Sequence, residues 1–253
     1  MIPRTMNLVW LNPPVPVVFV RLLLRFADYH PDWKICVWHS GNTPALLNGD
    51  LVSRIRGNSF KSDIVRYEIM ARYGGWYMDW DMVWVDSIDN WFDCDNADNV
   101  FTNDAKWCHG LNNCFYGVSP TNPIAWALVN RLAESIRKHA DPLDGGQAEQ
   151  SGVKYFSRVV RSFPERAVIT PAQLVNGYTP DYWRNIKSLV KTKIPALAMH
   201  FFNSCQTTPT IEQAIGSGDI WAPDYTQEII DSLPPNVIDH GLREVLPSIS
   251  WRN

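Results

Sequence analysis

The stretch from residue 62 to residue 81, SDIVRYEIMARYGGWYMDWD, constrains this chain more than any other. A helix-forming segment, with Ser62 as a candidate cap and Asp63 in the first turn where the helix dipole favours a carboxylate, runs to Tyr73. Gly74 and Gly75 offer a left-handed exit, and an apolar strand over residues 76–85 follows, interrupted by Asp79 and Asp81. A helix that hands over to an apolar strand across two glycines belongs to a layered α/β domain.

Side chains alternate across a strand, so Tyr77, Asp79 and Asp81 face one way while Trp76, Met78 and Trp80 face the other. Two carboxylates at the end of an apolar strand raise each other's pKa and cost folding free energy unless a cation neutralises them. A hard divalent ion with oxygen ligands, Mn²⁺ or Mg²⁺, answers that problem. On the helix upstream, Asp63 and Arg66 are three apart and share a face. Arg66 suits phosphate or sugar hydroxyls, and Asp63 suits paired hydroxyl donors. The plainer alternative is a dipole partner and its surface ion pair, worth about 0.5 kcal/mol.

Residues 5–11 and 34–38 are apolar runs closed by Asn12-Pro13-Pro14 and Ser40-Gly41-Asn42, and residues 17–29 between them have helical spacing. This strand, helix, strand opening argues for a parallel, doubly wound sheet. Downstream, residues 123–139 place Ile124, Leu128, Leu132 and Ile136 on one helical face, and a second helix is expected over 153–163. Residues 167–170 and 196–202 read as strands. No internal repeat or low-complexity tract is present, and 253 residues suit a single domain.

A net charge of −3 supplies no basic stripe for nucleic acid, and no dense Lys/Arg run suggests a membrane-surface anchor. The longest apolar run, residues 15–26, is broken by Pro16, Arg21 and Arg25 and is too short to span a bilayer. No signal peptide is seen, so the expectation is a cytoplasmic or otherwise soluble protein. Five cysteines without paired spacing favour reduced thiols, and Cys108-His109 with Cys114 lacks the CxxC partner of a zinc site.

The run Ser62-Asp63-Ile64-Val65-Arg66-Tyr67, continuing to Tyr73-Gly74-Gly75-Trp76-Tyr77-Met78-Asp79-Trp80-Asp81, resembles the DXD-motif sugar transferases of glycosyltransferase family 32, which include the initiating α-1,6-mannosyltransferase and capsule-type enzymes; glucosylating clostridial toxins share the pattern. The resemblance extends to Ile2-Pro3-Arg4 through Trp10 and to Pro31-Asp32-Trp33, with weaker echoes at Asn113, Gly117 and Gly152. It implies a GT-A fold, a Rossmann-like mixed sheet flanked by helices, with a donor-binding part over about 1–120 and an acceptor-side part over about 121–253. It also implies transfer of a hexose from a UDP- or GDP-sugar to a carbohydrate, glycolipid or protein acceptor with retention of anomeric configuration.

By the same resemblance, Trp10 lies near the donor base, Asp63 and Arg66 bind ribose and sugar, Asp79 contacts the donor and the metal, and Asp81 ligates Mn²⁺ or Mg²⁺ directly. His200 closes the metal site, although Cys205 stands where the family pattern has Trp, and Ser250-Trp251 is an alternative. Tyr77 shares the aspartate face and joins the substrate-binding candidates. Each has a bland alternative: Trp10, Tyr77 and His200 all sit in apolar surroundings and could be packing residues. Two rival functions remain. A haloacid-dehalogenase-type phosphatase would use Asp79-x-Asp81, Thr170, Gly218-Asp219 and Asp224, whereas a non-catalytic sugar-binding module would use the twelve tryptophans for stacking.

Overall fold

The computed structural model describes residues 1–12, 14–104, 110–138, 147–170 and 197–200. Strand β1 (Thr5–Val9), helix α1 (Val17–Tyr29) and strand β2 (Lys34–Trp38) form the expected opening, with β1 and β2 parallel. Helices α2 (Gly49–Arg54) and α3 (Asn58–Tyr73) lead into β3 (Gly75–Met78), which pairs parallel to β1 on the side away from β2. Thus β1 lies between its two partners.

Further along come β4 (Met82–Trp84), a 3₁₀ turn at Ile88–Asn90, β5 (Asn99–Asp104) and β6 (Gly110–Val118). Four helices follow: α4 (Pro123–Asn130), α5 (Leu132–Arg137), α6 (Gln147–Gln150) and α7 (Val153–Val160). Short strands β7 (Ile169–Thr170) and β8 (Ala198–His200) complete the described elements. The main sheet has the order β2-β1-β3-β6-β5-β7, and β4 pairs with β8 in a separate two-stranded sheet.

The sheet is mixed, not parallel as the opening alone suggests: β6 runs antiparallel to both β3 and β5. Only residues 105–109 separate β5 from β6, and a parallel pairing needs a crossover of a dozen residues or more. Helix α3 begins at Asn58, so Ser62 is not its cap and Asp63 sits in the second turn, where a dipole role no longer accounts for it. The expected helix over 123–139 divides at Arg131, yet Ile124, Leu128, Leu132 and Ile136 keep one buried face across the break. The expected strand over 76–85 is split: β3 stops at Met78, residues 79–81 turn, and β4 joins the second sheet.

Alternation along the strands sorts the core into two layers. Met6, Leu8, Ile35, Val37, Trp76 and Met78 pack with α1, while Val9, Cys36, Trp38 and Tyr77 pack with α3. Because α1 covers one face and α3 the other, the connections diverge beside β1 and β3 and leave a crevice at their carboxyl ends. This is where open α/β sheets take ligands.

Candidate active site

Both walls of that crevice are set by residues that follow a strand end. Beyond β1, the chain turns out through Trp10, Leu11 and Asn12; beyond β3, it turns through Asp79, Trp80 and Asp81. The amino-terminal turns of α3 supply Asn58, Ser59, Ser62 and Arg66, enclosing a cleft of about 390 Å³. Trp80 pins the turn inward: its indole Nε1 donates to the Val9 carbonyl at 3.0 Å, and its ring meets Trp10 edge-on at 6.0 Å between centroids. Trp10 is half-buried, with Phe19 on another side at 5.7 Å, and its Nε1 donates to the Asn12 carbonyl at 2.8 Å.

Arg66 organises the floor. Its Nη1 lies 3.1 Å from Oδ1 of Asp79 and donates to the Asn113 carbonyl at 3.0 Å, and its Nη2 lies 3.4 Å from Oδ1 of Asp63. The Nη2 also donates to Ser62 Oγ at 3.1 Å. The guanidinium carbon sits 4.4 Å from the centre of the Tyr77 ring, and the Tyr77 hydroxyl donates to Asp79 Oδ1 at 2.7 Å. Burial pulls the Arg66 guanidinium down, but Asp79, Tyr77 and Asp63 together hold it well above its usual value. Burial also pushes the Tyr77 phenol well up, which keeps it a proton donor at neutral pH.

Asp63 is only 2% exposed and does not line the cleft. Its Oδ1 accepts from Asn113 Nδ2 at 2.9 Å, and its Oδ2 accepts from Gln147 Nε2 at 2.8 Å and Ser151 Oγ at 2.9 Å. Burial pushes its carboxyl up, against the opposing pull of Arg66, Gln147 and Ser151. The surface ion pair offered by the sequence is therefore a buried one, and here Asp63 holds Arg66 from behind.

Of the sequence candidates, Trp10, Arg66, Tyr77, Asp79 and Asp81 all line the cleft. His200 is placed by its backbone: in the β4–β8 ladder it stands opposite Met82, the residue after Asp81. Its side chain, Cys205 and residues 250–251 lie outside the described atoms, as do Cys108, His109, Asp219 and Asp224. Asn113, Gln147 and Ser151 were missed as partners of Asp63. The signal for Asn113 was the pair Asn112-Asn113 in the otherwise apolar strand β6, since buried amides are kept where they bond something. The phosphatase reading loses its geometry, because Thr170 lies on β7, three strands from β3.

Residues 16–98 match the sequence family described as glycosyltransferase sugar-binding region containing DXD motif. A comparison with curated protein sequences gives no match. Among solved structures, similar ones are the galactosyltransferase LgtC in complex with donor and acceptor sugar analogs, at 10% identity over 90% of this chain and 99% of that one with a TM-score of 0.52; the PaToxG glycosyltransferase, at 11% identity over 96% and 87% with a TM-score of 0.51; and the UDP-bound glycosyltransferase domain from the YGT toxin, at 10% identity over 99% and 95% with a TM-score of 0.50. At such identities the likeness is one of fold. The fold is of GT-A type, a mixed sheet flanked by helices.

Proposed function

We propose that this chain, a glycosyltransferase by the family of its residues 16–98 and of GT-A type by fold, moves a hexose from a UDP- or GDP-sugar to an acceptor hydroxyl with retention of configuration. The observation that carries this reading is the meeting of Arg66, Tyr77 and Asp79 with Asp81 in the cleft at the β1–β3 switch point. The acceptor is a carbohydrate, glycolipid or protein.

In this reading Trp10 offers its half-buried ring to the donor base, and the hydroxyls of Ser59 and Ser62 with the Asn58 amide face the donor's polar groups. Arg66 acts chiefly through Asp79, because its charge is already shared by Asp79 and Asp63. The carboxylates of Asp79 and Asp81 are hard oxygen donors that fit Mn²⁺ or Mg²⁺, with His200 as a third ligand. Such an ion, when bound, supplies neutralisation of the charge that grows on the diphosphate leaving group. Retention is ascribed to attack on the same face as the departing phosphate, since the carboxylates among the described lining residues, Asp79 and Asp81, are the ones committed to the cation.

The test is nucleotide release from a panel of UDP-, GDP- and dTDP-sugars with Mn²⁺, using wild type, Asp81→Asn and EDTA. Release from one donor, lost in the variant and with chelator, is the expected result. Release that survives both would remove the metal from the proposal, and no release with no donor-induced rise in Tm would leave a sugar-binding module.

A further inference from the structure

Residues 131–138 and 147–166 together hold seven Lys and Arg against three Glu, although the chain as a whole is net negative. No short run of sequence shows this, because the cations are spread over α5, α7 and their flanks. Packing gathers them. Arg158 on α7 donates to Ser135 Oγ on α5 at 3.3 Å, and between the two helices lies a groove of about 390 Å³ whose charged lining is Arg131, Lys138 and Arg158 with one carboxylate, Glu134. Lys154 and Arg158 on α7, and Arg161 at its carboxyl cap, repeat at helical spacing and are exposed, whereas Tyr155, Phe156, Val159 and Val160 are buried.

Two of the three glutamates, Glu134 and Glu149, join ion pairs and neutralise part of this face. Glu134 pairs with Lys138 at 2.8 Å, and Glu149 pairs with Lys154 at 2.7 Å and Arg158 at 3.6 Å. Among the described residues, Arg131, Arg137, Arg161 and Arg166 join no ion pair, and all four are exposed. Arg131 is held outward by its bond to Ser162 Oγ at 2.9 Å and by the Phe163 ring at 5.4 Å. Two residues past Arg166 the chain exposes apolar side chains, Val168 at 55% and Ile169 at 44%.

We propose that this face docks on the anionic surface of a phospholipid bilayer. Guanidinium forks pair with phosphate oxygens, and exposed aliphatic side chains, here the pair that follows Arg166 in the chain, enter a headgroup layer. The net negative charge of the whole molecule does not oppose this, because charges beyond roughly 8 Å are screened at physiological ionic strength and the bilayer meets the basic face alone. Among the described residues no helix is long and apolar enough to cross a bilayer.

The test is co-sedimentation of the full chain with vesicles of phosphatidylcholine mixed with phosphatidylserine, and with vesicles of phosphatidylcholine alone, at low and high salt. The wild type is expected to pellet with the anionic vesicles only, and less so in high salt. The triple variant Arg131→Gln, Arg158→Gln, Arg161→Gln is expected to bind them roughly a hundredfold more weakly. Should that variant fail to fold by circular dichroism, the pair Arg137→Gln, Arg161→Gln replaces it with an expected loss of roughly tenfold or more. Equal binding to both vesicles, no binding to either, unaltered binding by a folded variant, or capture by duplex DNA instead of vesicles overturns the proposal. The readout is vesicle binding, so it stands or falls separately from sugar transfer.

Discussion

Arg66 and Tyr77 converge on one atom: Oδ1 of Asp79 accepts the Tyr77 hydroxyl at 2.7 Å and lies 3.1 Å from Arg66 Nη1. Two donors from two elements, α3 and β3, hold this carboxylate in one orientation before any ligand arrives. Such preorganisation separates a working carboxylate from a solvated one.

Removing the hydroxyl while keeping the ring isolates this effect. Tyr77→Phe deletes a hydrogen bond to a charged acceptor, worth about 1.5–3 kcal/mol, so kcat/KM for donor hydrolysis is expected to fall roughly ten- to hundredfold. Steady-state kinetics at fixed Mn²⁺ read the change. Kinetics equal to wild type, at an equal Tm, would show that the bond orients nothing of consequence.

Arg66→Met leaves the carboxylates of Asp63 and Asp79 without their shared cation. Breaking a buried pair in this way costs about 3–5 kcal/mol, and Tm is expected to drop by roughly 10 °C. The double variant Asp63→Asn, Arg66→Met should recover part of that loss, because one unpaired charge is gone. Identical thermal melts for the single and double variants would refute the charge explanation.

Gly75 has φ +92°, and a Cβ there would stand 2.6 Å from the Thr5 carbonyl oxygen and 3.0 Å from Asn7 Nδ2. Asn7 is itself committed, donating to the Gly74 and Trp76 carbonyls at 3.1 and 3.2 Å and accepting from Trp38 Nε1 at 2.9 Å. Gly75→Ala therefore strains the β1–β3 join from which the cleft hangs, at an expected cost of about 2–4 kcal/mol in urea unfolding. A loss below about 0.5 kcal/mol would mean that the join relaxes without resistance.

His30 makes stability depend on pH. Its Nδ1 lies 2.8 Å from the Phe26 carbonyl oxygen, Ile88 N donates to its Nε2 at 2.8 Å, and burial pushes its pKa down to about 4, with the Phe26 carbonyl and then Asp89 and Asp86 acting the other way. The unfolded chain takes up this proton near pH 6.5, whereas the folded protein excludes it until about pH 4. This contribution is present above pH 6.5 and is lost as pH falls towards 4, to a limit of about 3 kcal/mol. Urea unfolding of wild type and His30→Gln across that range should show a shallower slope in the variant. Parallel slopes would place the acid sensitivity elsewhere.

The ingredients of the cleft can be read along the chain, because they are local. Strand alternation puts Tyr77 on the face opposite Trp76 and Met78, and the apolar period of residues 17–29 makes a helix that buries Phe19, Leu22, Leu23 and Phe26. The double glycine marks a join that no other residue fits. Tertiary structure decided the rest, because contacts between distant segments leave no period to read. It reversed β6 and so made the sheet mixed, ended β3 at Met78 to turn the aspartates into a cleft, and buried Asp63 behind Arg66 under Asn113, Gln147 and Ser151, which lie 50 to 88 residues away. It also drew Arg131, Lys138 and Arg158, up to 27 residues apart in the chain (158 − 131), around one groove between α5 and α7.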